Sequence, residues 1–191
     1  MGLYIHSLLE IPADAKRNYY IYLLDYGWSE PLAESLFKNF QQMADLASKH
    51  NAIVIRGTAD RVHFTDDVFS WHNINGENGE ELLPGILITN RNPHEFKESF
   101  SDHSNSNSDK KDFKIIFFPL KKYCKTTTDV ANYVDKIFKD ILEKKDLSDF
   151  KIKKEMKKGL GRALVDGLLL EPNIAGVGYN FNEIINYFRQ K

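Results

Sequence analysis

Cysteine is almost absent from this sequence, because Cys124 is the only one in 191 residues. An intramolecular disulfide is therefore impossible, and a cysteine-rich zinc site is excluded. A lone thiol favours a reducing compartment, so we expect a cytoplasmic protein. Since no other ligand-binding motif stands out, we predict no cofactor and no bound metal.

Long apolar runs are also missing. No stretch approaches the ~18 consecutive apolar residues that a membrane-spanning helix requires. The first twelve residues contain His6 and Glu10, and no basic segment precedes a long apolar run, so they do not read as a signal peptide. We therefore expect a soluble protein that has no membrane partner.

The chain has no excess of charge of one sign, since its formal net charge is −1. Hydrophobic residues make up 42% and charged residues 28%, which is a globular balance rather than a disordered one. A chain of this length buries most of its unfolded surface without disulfide or metal staples. These features predict one domain over residues 1–191.

The two halves of the chain differ in charge, although the total is nearly neutral. Residues 1–100 have a net charge of −6 and residues 101–191 a net charge of +5. Such asymmetry can indicate a nucleic-acid or acidic partner. The lysines of the second half are diluted by acids, and arginine is scarce there, which argues against specific phosphate or base readout. A solvated lysine-rich face and a weak nucleic-acid interface both remain open.

Short apolar runs alternate with amphipathic segments along residues 19–142. A helix that Ser29 can cap runs to about Lys49 and separates the first two apolar runs. Strands joined in this way are parallel with a right-handed crossover. Four runs of strand length are predicted to be buried strands, namely residues 19–25, 52–56, 85–89 and 113–118.

The remaining segments complete an α/β pattern. Thr65 can cap a short helix, and residues 126–129 offer several possible caps for a longer one with a continuous apolar side. The polar residues 101–112 are predicted to form a mobile loop, and residues 162–170 a short apolar helix. We therefore predict an α/β fold with a central mixed sheet of about four to five strands, flanked by helices. Residues 19–142 form its core and residues 143–191 a helical C-terminal extension.

The order of elements over residues 19–142 resembles the thioredoxin-like fold. In that family the first strand leads into Trp-Cys-Gly-Pro-Cys at the start of a helix. Trp28 and Pro31 match this motif, whereas Ser29 and Leu32 stand where the two cysteines would be. Pro84 would match the family's cis-proline, which faces the motif.

The departure from the motif limits what the resemblance implies. Thiol–disulfide exchange needs a thiolate nucleophile and a resolving thiol, and neither Ser29 nor Leu32 supplies one. The resemblance therefore implies a redox-inactive protein. It retains the surface beside Trp28, Ser29 and Pro84, which in the family receives extended peptides. A serine cap followed by proline is also an ordinary helix start, so that simpler interpretation stays open.

Two functional hypotheses follow. The first is a non-catalytic interaction or accessory module that binds another protein within a larger assembly. The alternative is a small hydrolase or nuclease acting on a nucleotide or phosphodiester, because acid–base side chains cluster in sequence and the ends of strands often hold ligands. Its candidate catalytic residues are His63, Asp67, His72, Arg91 and His94.

Overall fold

The computed structural model describes residues 1–27, 30–58, 61–72, 74–75, 82–101, 113–152, 169–170 and 179–180. The strands, in chain order, are β1 Gly2–Ile5, β2 Tyr19–Leu24, β3 Ala52–Gly57, β4 Ile74–Asn75, β5 Gly85–Thr89, β6 Ile115–Pro119, β7 Leu169–Leu170 and β8 Tyr179–Asn180. The α-helices are α1 Pro31–Lys38, α2 Phe40–Ser48, α3 Arg61–Trp71, α4 Pro93–Ser101, α5 Leu120–Tyr123 and α6 Thr127–Leu142.

The main sheet is mixed and has the strand order β1-β3-β2-β5-β6-β7. Strand β3 is parallel to both β1 and β2, whereas β5 is antiparallel to both β2 and β6. The two-residue strand β7 is antiparallel to β6, and β4 pairs in parallel with β8 in a separate ladder. The predicted α/β class, the mixed sheet and the parallel pairing of the first two buried strands are confirmed.

Helices cover both faces of the sheet, which explains why its central strands are apolar at nearly every position. Helices α1, α2 and α6 pack with one face in a single hydrophobic cluster. Helices α3 and α4, together with a 3₁₀ turn at Leu8–Glu10, cover the other face. The predicted sheet core is confirmed, since eight residues are at most 2% exposed: Ile21, Leu23, Ile53, Val54, Ile86, Ile88, Ile115 and Phe117.

The sequence predicted one helix from Ser29 to Lys49, but the structure has two helices, α1 and α2, with the interruption at Asn39. The Asn39 side chain donates a hydrogen bond of 2.8 Å to the Ser35 carbonyl, which competes with regular helical bonding. The first helix begins at Pro31, and its N-cap residue is Glu30 rather than Ser29. Proline at the first helical position needs no amide donor and suits the helix start.

Several further segments extend the sequence-based picture. Helix α6 begins within the predicted segment 126–129, and the structure selects Thr126 as its cap, which forms a capping box with Asp129. Helices α4 and α5 were not predicted. Leu169–Leu170 is a short strand on β6, although the apolar pattern predicted the end of a helix there. Residues 102–112, most of the predicted mobile loop, lie outside the described residues, as does most of the extension.

No helix in the described part of the chain combines the length and the apolar character that crossing a bilayer demands.

Candidate functional site

The loop after β2 and the segment before β5 meet at one end of the sheet. Together with the start of α1 and with α5, they form a shallow depression beside Pro84, and the Leu83–Pro84 peptide bond is cis. We call this depression the cis-proline surface. It is lined by Asp25, Tyr26, Glu30, Ala33, Leu83, Pro84 and Lys121.

Asp25 organises the loop that follows β2. Its carboxylate accepts a hydrogen bond of 2.8 Å from the Gly27 amide, and Gly27 has a positive φ of 80° that suits glycine. The Asp25 backbone carbonyl accepts a hydrogen bond of 2.8 Å from the Thr65 hydroxyl. The sequence predicted that Thr65 caps a helix, and this prediction is wrong. Thr65 lies buried inside α3, which begins four residues earlier, and ties that helix to the end of β2.

An ion pair joins the other two sides of the cis-proline surface. Lys121 on α5 lies 2.7 Å from the Glu30 carboxylate at the start of α1, and both side chains are about 30% exposed. The Leu120 amide donates a bond of 2.9 Å to the Pro84 carbonyl, which holds α5 against the start of β5. The surface thus presents a fixed charge pair beside an apolar floor of Ala33 and Leu83.

The depression is too small to enclose a substrate. Its cavity volume is about 10 Å³, close to the space that one water molecule occupies. Ligand pockets that bury a small molecule measure roughly 300–1,000 Å³. A partner would therefore contact this surface from outside rather than enter it.

The single thiol lies away from solvent. Cys124 follows α5 and is 3% exposed, with its amide donating to the Leu120 carbonyl at 2.7 Å. Burial, reinforced by the nearby Asp129 carboxylate, raises the pKa of the Cys124 thiol to about 12. The thiol is therefore protonated at neutral pH and packs as a small apolar side chain.

Two of the predicted binding residues, Trp28 and Ser29, lie outside the described residues. Pro84 lines the cis-proline surface, and its role in binding stays a prediction. The remaining residues of that surface were not predicted. An aspartate directly after a buried apolar run was a usable signal for Asp25, but no signal paired Glu30 with Lys121 across 91 positions.

The five catalytic candidates have separate environments. His63 is exposed and Asp67 half-buried on α3, while His72 is fully buried behind Tyr22 and Phe96. Arg91 pairs with Glu95 at 3.5 Å, and His94 bonds to the Ile11 carbonyl at 2.8 Å. None of the five lines the cis-proline surface.

No group of three or more histidine, cysteine, aspartate or glutamate side chains among the described residues is arranged to hold a metal ion. Comparisons with known proteins add no assignment: the chain matches no protein-family model, no curated protein and no solved structure.

Proposed function

We propose that this chain is a non-catalytic, thioredoxin-like module that binds an extended segment of another protein across the cis-proline surface. The resemblance draws support from the order of elements. A β-α-β unit (β2, α1 with α2, and β3) precedes the short helix α3, and β5 follows a cis-proline before β6 and the closing helix α6. This is the order on which the resemblance was based.

The observation that carries the proposal is the shape and chemistry of the cis-proline surface. It is shallow, with a cavity of about 10 Å³, so a bound group must lie over it. An apolar floor beside a charge pair suits a peptide, whose side chains and backbone combine both characters. The only thiol of the chain is buried outside this lining, so binding rather than thiol exchange is the function that fits.

The proposal includes a cytoplasmic setting, which the single unpaired cysteine supports. The hydrolase or nuclease alternative stays a prediction. It requires the acid–base candidates to face one polar cleft, whereas His72 packs between aromatic rings and His94 bonds to a backbone carbonyl.

Peptide selection tests the proposal directly. Peptides selected by phage display on the immobilised chain should shift amide resonances of residues that line the cis-proline surface. The double variant Glu30→Ala/Lys121→Ala removes the charge pair there and should weaken the binding of selected peptides about tenfold or more, a loss of ~1.4 kcal/mol.

The chain offers a matched control on the same helix. Glu34 and Lys38 form an exposed pair at 4.0 Å, so Glu34→Ala/Lys38→Ala removes the same charges from residues that do not line the surface. This control should bind selected peptides as the unaltered chain does. Recovery of no peptide above background, equal weakening by both double variants, or shifts confined to another face would each overturn the proposal.

A further inference from the structure

A second depression opens at the end of the sheet opposite the cis-proline surface. It lies beside the first residue of β2 and the last of β5, with a volume of about 470 Å³. We call it the basic cleft, because five of its ten lining residues are cationic. The ten lining residues are Arg17, Asn18, Tyr19, Asn90, Arg91, Lys114, Lys144, Lys145, Asp146 and Leu147.

Two of the lysines are held in place by ion pairs with acids. Lys114 Nζ lies 2.8 Å from both oxygens of Asp146, the only acid in the lining. Asp146 also accepts a bond from the Ser148 amide at 2.8 Å, so its charge is well compensated. Lys145 bonds to Asp140 at 2.7 Å. These pairs position both ammonium groups at the wall of the basic cleft.

Two other cations of the lining, Arg17 and Lys144, have no acidic partner among the described residues. The Arg17 guanidinium donates to the neutral Asn51 side chain at 3.0 Å, and its buried Nε has no hydrogen-bond partner. Lys144 is exposed in a left-handed turn (φ 51°). The cleft therefore contains two cations that no described acid compensates.

We propose that the basic cleft binds a small phosphorylated ligand. Arginine and lysine together suit phosphate oxygens, since the guanidinium supplies directed donors and the ammonium a compact charge. The volume lies within the range of small-molecule pockets. The net charge of −1 and the acids that surround the cleft favour a small ligand over a nucleic-acid strand. This proposal is independent of peptide binding at the other end of the sheet.

Calorimetric titration of the full chain with pyrophosphate tests the proposal. The double variant Arg17→Gln/Lys144→Asn removes the two uncompensated charges, and asparagine tolerates the left-handed backbone at position 144. It should bind pyrophosphate at least about tenfold more weakly than the unaltered chain. The control Lys122→Gln/Lys125→Asn removes the same net charge near the start of α6, a helix roughly 24 Å long. It should retain the affinity.

The outcomes separate the proposal from its rivals. No heat of binding with pyrophosphate, or equal weakening by the two double variants, would show that the cleft has no specific anion site. Tighter binding of a single-stranded oligonucleotide than of pyrophosphate, lost in the same variant, would make the cleft a nucleic-acid surface instead. If the double variant does not fold, the exposed substitution Lys144→Asn alone must weaken pyrophosphate binding for the proposal to stand.

Discussion

Acid should destabilise this protein through His72, a fully buried histidine. Its Nδ1 donates to the Val68 carbonyl at 2.7 Å, so the neutral ring has its lone pair on Nε2. That Nε2 is buried without a hydrogen-bond partner. The ring packs between Tyr22 from β2, at 5.1 Å between centroids, and Phe96 from α4, at 4.7 Å. Tyr22 stays neutral throughout the acidic range, because burial raises its pKa.

The sign and size of the effect follow from the histidine pKa. Burial lowers the pKa of His72 from 6.5 to about 4, against a smaller opposing contribution from the Val68 carbonyl. The unfolded chain therefore takes up this proton first as the pH falls. The stabilisation is complete above pH 6.5 and is lost towards pH 4. A shift of this size corresponds to a loss of about 3 kcal/mol.

Urea unfolding between pH 7.5 and pH 4 measures this loss when His72→Phe serves as the reference. Phenylalanine suits the aromatic surroundings, and the Val68 carbonyl still accepts the backbone amide of residue 72 at 3.2 Å. Subtracting the variant's free energy of unfolding removes the contribution of the carboxylates. The free energy of unfolding of the parent minus that of His72→Phe should fall by about 3 kcal/mol as the pH is lowered across this range. Equal pH slopes in the two proteins would refute the reasoning.

Three other predictions address the core, the thiol and one loop. Leu36→Ala or Phe40→Ala should reduce the free energy of unfolding by ~2–5 kcal/mol, since both side chains are buried; urea denaturation showing less than ~1 kcal/mol would contradict this. The chain should not catalyse insulin reduction, because Cys124 is buried and protonated; turnover that disappears in Cys124→Ser would disprove this. The polar composition of residues 101–112 predicts that a short Gly-Ser replacement leaves the melting temperature nearly unchanged, and a large drop would show that the loop packs.

The sequence predicted the buried strands well. The runs at residues 19–25 and 85–89 are apolar at nearly every position, and such runs form strands covered on both faces. Their type and place depend on side-chain hydrophobicity, which is a local property. Helix boundaries were recovered less well, because the bond from Asn39 to the Ser35 carbonyl and that from Thr65 to the Asp25 carbonyl are contacts that periodicity does not contain.

Periodicity, turn residues and composition thus determined by themselves the α/β class, the buried strands and the lack of any thiol pair. Only the tertiary structure decided which polar residues share a surface. Glu30 meets Lys121, and Arg17 lines the same cleft as Lys144, because the sheet order brings distant strand ends together. Whether a side chain is buried depends largely on its own hydrophobicity, which the sequence states at each position. The convergence of charges depends on the order of strands, which long-range packing selects.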